Sequence, residues 1–318
     1  MNILVTNISY HCAVGVVKLL RKINNAELCI LGCSNIPIGY SSGSLLVDKF
    51  FLVDKINNSD KYLDEIITLC NTYDIDHIIS TDEFEQFIFN KNIDYFLTKT
   101  CIIHTDIINL FSNKYKATKA ISELGIKIPT IYSLENFEMF KNKKIIIREN
   151  NSCCSYGIHV LDGFDIESIR KWSTNNSFIQ EYVSGEEYTV DVLCDKNGNP
   201  INIIPRKRLA IRGGITYKCL IEKNELLIKE CKKIYKKYTI PGFSNVQFII
   251  KNDVAFFIEL NPRLGGTTIA SSLAGDNLID LYIKHFVENK PLKESSIRWN
   301  TLVTRYYEEV SFLLENEQ

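Results

Sequence analysis

Residues 245–263 read NVQFIIKNDVAFFIELNPR. Glu259 and Asn261 close a strongly apolar run, and side chains alternate along a strand, so the two face the same way. If 245–250 pairs antiparallel with 254–260, Gln247 comes to lie beside Glu259. Three oxygen donors then meet in one place. Hard oxygen ligands suit magnesium, which takes few protein ligands and completes its shell with phosphate oxygens and water; manganese is a substitute. Arg263 follows Pro262, which ends the strand. A cation there would stabilise negative charge on a transferred phosphoryl group. The alternative is a polar strand face open to water, but polar residues ending so apolar a run need a reason.

Two further segments carry chemistry. In FIQEYVSGEEYTVDVL, an apolar strand at 178–183 meets Gly185 and a second strand, as at a hinge between two lobes. Between Gln180 and Tyr182, the backbone carbonyl of Glu181 and, just beyond, the N–H of Val183 are suited to the edge of adenine. Glu187 is suited to ribose hydroxyls. Alone, the segment is only an antiparallel hairpin. In KIIIRENNSCCSYGIHVL, Arg148 ends an apolar strand before a short polar loop at 150–157. Backbone N–H groups of such a loop, including those of Ser155 and Gly157, can cover a polyphosphate, and the guanidinium adds a fork of donors. An exposed hairpin turn is the alternative. Arg206, Lys207, Arg208 and Arg212 precede Gly213 and Gly214; Arg208 or Arg212 would meet a substrate carboxylate, unless this is a solvated surface.

These residues need two kinds of scaffold. Up to about residue 110, strand and helix signals alternate, as in an open parallel sheet. Short apolar runs stand at 3–5, 28–31, 50–53, 77–79 and 101–104. Leu63, Ile66, Ile67 and Cys70 fall at i, i+3, i+4 and i+7, one face of a helix. The turn after the first strand, TNISYHCAVG, lacks the glycines of a dinucleotide fingerprint. Thr81, Asp82 and Glu83 follow a strand and mark either a ligand crevice or a helix cap with acidic first-turn residues. Residues 113–125 read as a helix ended by glycine. Beyond it, longer hairpin-linked strands are expected at 177–183, 188–194, 201–205, 245–250 and 254–261, with a helix at 225–238. The expected fold is therefore an α/β domain over 1–112 and an α+β domain over 113–318, the latter split into lobes near residue 184. The final ten residues read as a helix or a frayed tail.

Composition narrows the function classes. The 318 residues carry 45% hydrophobic and 24% charged residues with a formal net charge of -1, so no global basic field exists for nucleic acid or an anionic membrane. Lys232, Lys233, Lys236 and Lys237 read as a solvated helix face. No stretch reaches the roughly 18 apolar residues of a membrane span, and the N-terminus reads as a first strand. The ten cysteines show no CxxC pair, which fits free thiols in a reducing cytosol. A cytoplasmic protein is expected; a homodimer is left open.

Taken in order, NKYKATKAISELGIKIPT, QEYVSGEEYTVDV and ELNPR resemble the ATP-grasp superfamily, in particular single-unit relatives of the carbamoyl-phosphate synthase large subunit. The match covers residues 113–265, and the preceding α/β domain fits. The resemblance implies a two-lobed ATP-grasp domain using ATP and magnesium to join a small-molecule carboxylate and an amine through an acyl phosphate. It implies that Lys114 and Arg148 contact the ATP phosphates, that Glu181 and Val183 bind adenine and Glu187 ribose, and that Gln247, Glu259 and Asn261 hold the metal. Arg263 would hold the transferred phosphoryl group. Two departures stand out. The loop SCCSYG, with Cys153 and Cys154, has less glycine than usual, although Gly157 is kept. Gly265 and Gly266 stand where carbamoyl-phosphate synthases carry a further basic residue, which disfavours bicarbonate or carbamate and leaves a roomy backbone approach for a larger substrate. The other readings are a carbamoyl-phosphate-synthase-like carboxylate kinase and a catalytically silent ATP-binding subunit.

Overall fold

The computed structural model describes residues 1–151 and 157–313. Cys153, Cys154 and Ser155 of the expected phosphate loop lie outside the described residues.

The N-terminal part runs β1 (Asn2–Val5), α1 (His11–Leu20), β2 (Cys29–Ser34), β3 (Lys49–Leu52), α2 (Ser59–Thr72), β4 (His77–Ile79), α3 (Glu83–Lys91), α4 (Ile93–Phe96) and α5 (Thr105–Ser112). Its strands form a parallel sheet in the order β3-β2-β1-β4. Short apolar runs make these strands because helices cover both faces. The fifth expected strand, 101–104, does not form. Only Thr100 bridges to Ile78. Side chains of α3 take the backbone groups that a ladder would use: Gln86 Nε2 donates to the Cys101 carbonyl at 3.1 Å, Gln86 Oε1 accepts from Ile103 N at 3.0 Å, and Asn90 donates to the Ile103 carbonyl.

There follow α6 (Lys114–Ser122), β5 (Ile131–Tyr132), β6 (Ile145–Glu149), β7 (Ile158–Leu161), α7 (Ile166–Trp172) and β8 (Ser177–Glu181). The strands build a small antiparallel sheet, β5-β8-β6-β7, around Phe140, Ile145, Ile147, Ile169 and Ile179. The remainder is β9 (Glu186–Cys194), β10 (Pro200–Arg212), β11 (Ile215–Ile221), α8 (Glu225–Lys237), β12 (Gly242–Lys251), β13 (Val254–Asn261), α9 (Thr268–Ala274), α10 (Leu278–Phe286) and β14 (Thr301–Thr304). These strands make a six-stranded sheet in the order β13-β12-β9-β10-β11-β14. The strand expected at 201–205 continues to Arg212 because its second half pairs with β11 through an irregular register near Ala210. Residues 305–313 hold no helix or strand.

One core ties the parallel sheet to the large sheet. Val16, Val17 and Leu20 of α1 pack with Ala270 of α9, Ile279 and Ile283 of α10, and Leu193 and Ile204. On the opposite face of the large sheet, Ile108 and Phe111 of α5, Ile121 of α6 and Leu227, Cys231 and Ile234 of α8 meet Val190, Val246 and Phe257. Helix α5 therefore packs with the antiparallel half, although it lies before residue 112. The eight described cysteines are free thiols. No helix among the described residues is long and apolar enough to cross a membrane.

The parallel sheet encloses one carboxyl group, Glu85, fully buried. Thr6 Oγ1 donates to it at 2.7 Å and Ser80 Oγ at 2.6 Å, and the Tyr62 hydroxyl donates to its other oxygen. Burial, reinforced by the charge of Asp82, pushes its pKa from 4.5 up to about 7 despite these donors. The folded state therefore prefers the proton. As pH rises from 4.5 to 7 the unfolded chain ionises this group while the folded one resists, so its contribution falls by on the order of 3 kcal/mol and stays level above pH 7. Urea denaturation at pH 4.5 and pH 8 should show Glu85→Gln gaining stability relative to wild type at the higher pH. An unchanged difference between the two proteins would contradict the assignment.

Candidate functional site

A cavity of about 540 Å³ opens between the small sheet, the large sheet and the carboxyl ends of β1 and β4. That is within the range of small-molecule sites.

Its floor is the β12–β13 hairpin. Gln247 pairs with Glu259, and Asn245 with Asn261. Asn261 Nδ2 donates to Asn245 Oδ1 at 3.2 Å and to Glu259 Oε1 at 3.3 Å, which leaves Asn261 Oδ1 as the amide atom able to meet a cation. Gln247 Oε1 accepts from Arg208 at 3.3 Å, and Glu259 Oε2 lies 3.4 Å from Arg148. No group of three or more His, Cys, Asp or Glu side chains suited to a metal occurs among the described residues. One carboxylate and two amide carbonyls form a hard, weakly charged donor set. It fits a magnesium ion whose remaining ligands are phosphate oxygens and water.

The opposite wall carries Arg148, at the end of β6 and almost wholly buried. It donates to the Ile258 carbonyl at 3.2 Å and, weakly, to Gln180 Oε1 at 3.5 Å. Arg148 Nε and Gln180 Nε2 are buried without partners. Buried donors are normally paired; both residues line the cleft, but these two atoms are themselves enclosed. Lys114 also lines the cleft, and its N–H bonds the Asn150 carbonyl, fixing the start of α6 to the chain just after β6. Gly157 has φ +65°, and a Cβ there would lie 2.3 Å from Glu149 Cγ, so glycine is required.

At the hinge, Glu181 N donates to Thr130 O and Tyr182 N to Lys144 O, while the Glu181 carboxylate accepts from Thr130 Oγ1 at 2.9 Å. Glu181, Tyr182 and buried Val183 line the cleft. A Cβ on Gly185 would sit 2.3 Å from the Ile250 carbonyl. Glu187 pairs with Arg208 at 3.3 Å. Arg208 therefore lies between Glu187 and Gln247, among the cleft-lining residues. Arg212 stacks on the Tyr217 ring at 3.9 Å and is not among the cleft-lining residues.

The inner end is built around Arg263, whose Nε lies 3.5 Å from Glu83 Oε2. Gly265 N donates to Thr268 Oγ1, which reaches Asp191 Oδ1 at 3.3 Å. Asp191 also accepts from Ser271 Oγ at 2.6 Å and Arg206 Nε at 2.8 Å. A Cβ on Gly266 would lie 2.4 Å from His11 Nε2, and Arg305 donates to the Gly266 carbonyl. Burial, with the charges of Arg305 and Arg263, lowers the pKa of His11. Sequence reasoning missed His11, Asp191 and Arg305. An aspartate inside the apolar strand TVDVL was a readable sign of a buried pair; the other two carried no local signal.

Residues 173–308 match the family described as ATP-grasp in the biosynthetic pathway with Ter operon. A solved N5-carboxyaminoimidazole synthetase from Staphylococcus aureus, complexed with ADP, superposes with a TM-score of 0.74 at 14% identity, covering 93% of this chain and 80% of that one. The chain carries an ATP-grasp domain. Among curated ATP-grasp relatives, tyramine–L-glutamate ligase of Methanocaldococcus jannaschii is 25% identical over 245 residues, 75% of this chain and 71% of the relative. D-alanine–D-alanine ligase of Fusobacterium nucleatum is 24% identical over 198 residues, 55% of this chain and 67% of that one.

In this ATP-grasp domain the Asp191–Arg206 pair is a structural lock beneath the Gly265–Gly266 turn. Asp191→Ala leaves a buried guanidinium unpaired and should cost about 3–5 kcal/mol. Urea unfolding measures this; a loss below about 1 kcal/mol would mean the pair bears no such load.

Proposed function

We propose that this chain is an ATP-dependent carboxylate–amine ligase working through an acyl phosphate. ATP lies between the two antiparallel sheets, with adenine against the backbone of Glu181–Val183 and ribose near Glu187. Lys114 and Arg148 hold the phosphates. Gln247, Glu259 and Asn261 would hold magnesium, or manganese in its place, and that ion would offset phosphate charge. A carboxylate oxygen of the substrate attacks the γ-phosphorus, ADP leaves, and Arg263 meets the charge on the transferred group. An amine then attacks the acyl carbon and expels phosphate, leaving an amide. The relatives named above, a tyramine–L-glutamate ligase and a D-alanine–D-alanine ligase, support this direction.

The reading rests chiefly on one observation. Three oxygen donors line the cleft floor, and the guanidinium of Arg148 stands 3.4 Å from one of them. Carbamoyl-phosphate synthase large chains also match, at 23% identity, which keeps a carboxylate kinase as the second reading.

ADP release, screened over pairs of carboxylates and amines, tests both. A ligase requires both members of a pair, whereas turnover with bicarbonate alone would favour the kinase. Binding of an ATP analogue without release for any pair would favour a silent subunit. Glu259→Gln should retain the wild-type melting temperature and lose roughly 100-fold or more in ADP release. Normal turnover by that variant would remove the metal assignment.

A further inference from the structure

The amine half of this reaction has a chemical requirement that the residues assigned to nucleotide, metal and phosphoryl group do not meet. An amine arrives at neutral pH mostly as an ammonium ion, which has no lone pair to attack with. A group beside the acyl phosphate must hold the cation and take its proton.

Among the described residues, five carboxylates line the cleft: Asp82, Glu83, Glu181, Glu187 and Glu259. Four are committed elsewhere. Glu181 is bound to Thr130, Glu187 to Arg208 and Glu259 to Arg148, while Asp82 caps α3 by accepting from Phe84 N at 2.9 Å. Glu83 is the carboxylate paired with Arg263, at 3.5 Å, a contact about as long as those of Glu187 and Glu259, and its side chain is 19% exposed. Its loop is fixed from behind. Thr81 Oγ1 donates to the Thr6 carbonyl at 3.0 Å, and Ser80 Oγ reaches the Asp82 carbonyl at 3.1 Å. The carboxylate is therefore presented by a rigid element at the carboxyl end of the parallel sheet, where such folds bind ligands.

On the ligase reading, we infer that Glu83 binds the incoming ammonium group and accepts its proton beside Arg263. The ammonium R–NH3+ gives one proton to the Glu83 carboxylate and becomes R–NH2. Its lone pair forms the C–N bond to the acyl carbon. The C–O bond to phosphate breaks with its electrons going to phosphate, and the second proton leaves the nitrogen to phosphate or water. Burial raises the Glu83 pKa. Arg263 opposes that rise, Asp82 adds to it, Lys114 opposes it and Glu259 adds to it. A carboxyl so raised is a better proton acceptor than an ordinary one.

Hydroxylamine and methylamine are nearly the same size, but hydroxylamine is largely uncharged at neutral pH and methylamine is a cation. With the carboxylate giving fastest hydroxamate formation by wild type, Glu83→Gln should cut methylamide formation by about 100-fold or more. Hydroxamate formation should fall only a few-fold, and Glu83→Asp should recover part of the methylamide rate. The ratio of the two products from one sample does not depend on how much protein is folded. Equal falls in both products would overturn the role of Glu83, as would unchanged methylamide formation, or a wild type that makes hydroxamate but no methylamide. A wild type that makes no hydroxamate with any carboxylate would instead overturn the ligase reading, and this assignment with it.

Discussion

The register of the β12–β13 hairpin is the constraint on which the site depends. Its apolar face, with Val246, Phe248, Phe257 and Leu260 fully buried, is locked into the core beneath the large sheet. Sliding one strand by a residue would turn those side chains to solvent. The irregularity between Gln247 and Phe248 lets both Phe257 and Leu260 reach the core while Glu259 and Asn261 face the cleft. The energy that fixes the oxygen donors is thus hydrophobic, and it is applied from the opposite side of the same strands.

Two buried arginines are held in different ways. Arg206 is matched to Asp191, which is further satisfied by Thr268 and Ser271. That network is complete and underlies a glycine turn. Arg148 sits as deep but is poorly matched: its contacts are 3.2 Å or longer and its Nε has no partner. An unpaired buried donor costs stability; the guanidinium stands on the cleft wall beside Glu259.

Much of the site was legible in the chain because strand alternation is a local rule. The pairing of Gln247 with Glu259 follows from apolar periodicity, and β13 has the bounds that its pattern sets. Leu227, Cys231 and Ile234 of α8 are buried, as helical spacing requires, whereas Tyr238 on the same spacing is half-buried and lies just past the helix end. Where reading failed, distant side chains had intervened. Residues 101–104 have strand composition, but Gln86 and Asn90 already hold their backbone. Arg208 and Arg212 look alike in sequence, yet one is drawn between Glu187 and Gln247 and the other lies on Tyr217.

The sequence by itself determined most of the element types, the polar face of the last hairpin and the order of the motifs, since each depends on neighbours a few residues apart. Only the tertiary structure decided what stands at the inner end of the cleft. His11 meets Gly266, and Glu83 meets Arg263, because α1 packs on α9 and α10 through a shared apolar core. Such contacts join residues far apart in the chain, and the burial that creates them is non-directional. No local pattern could specify which polar groups it would bring face to face.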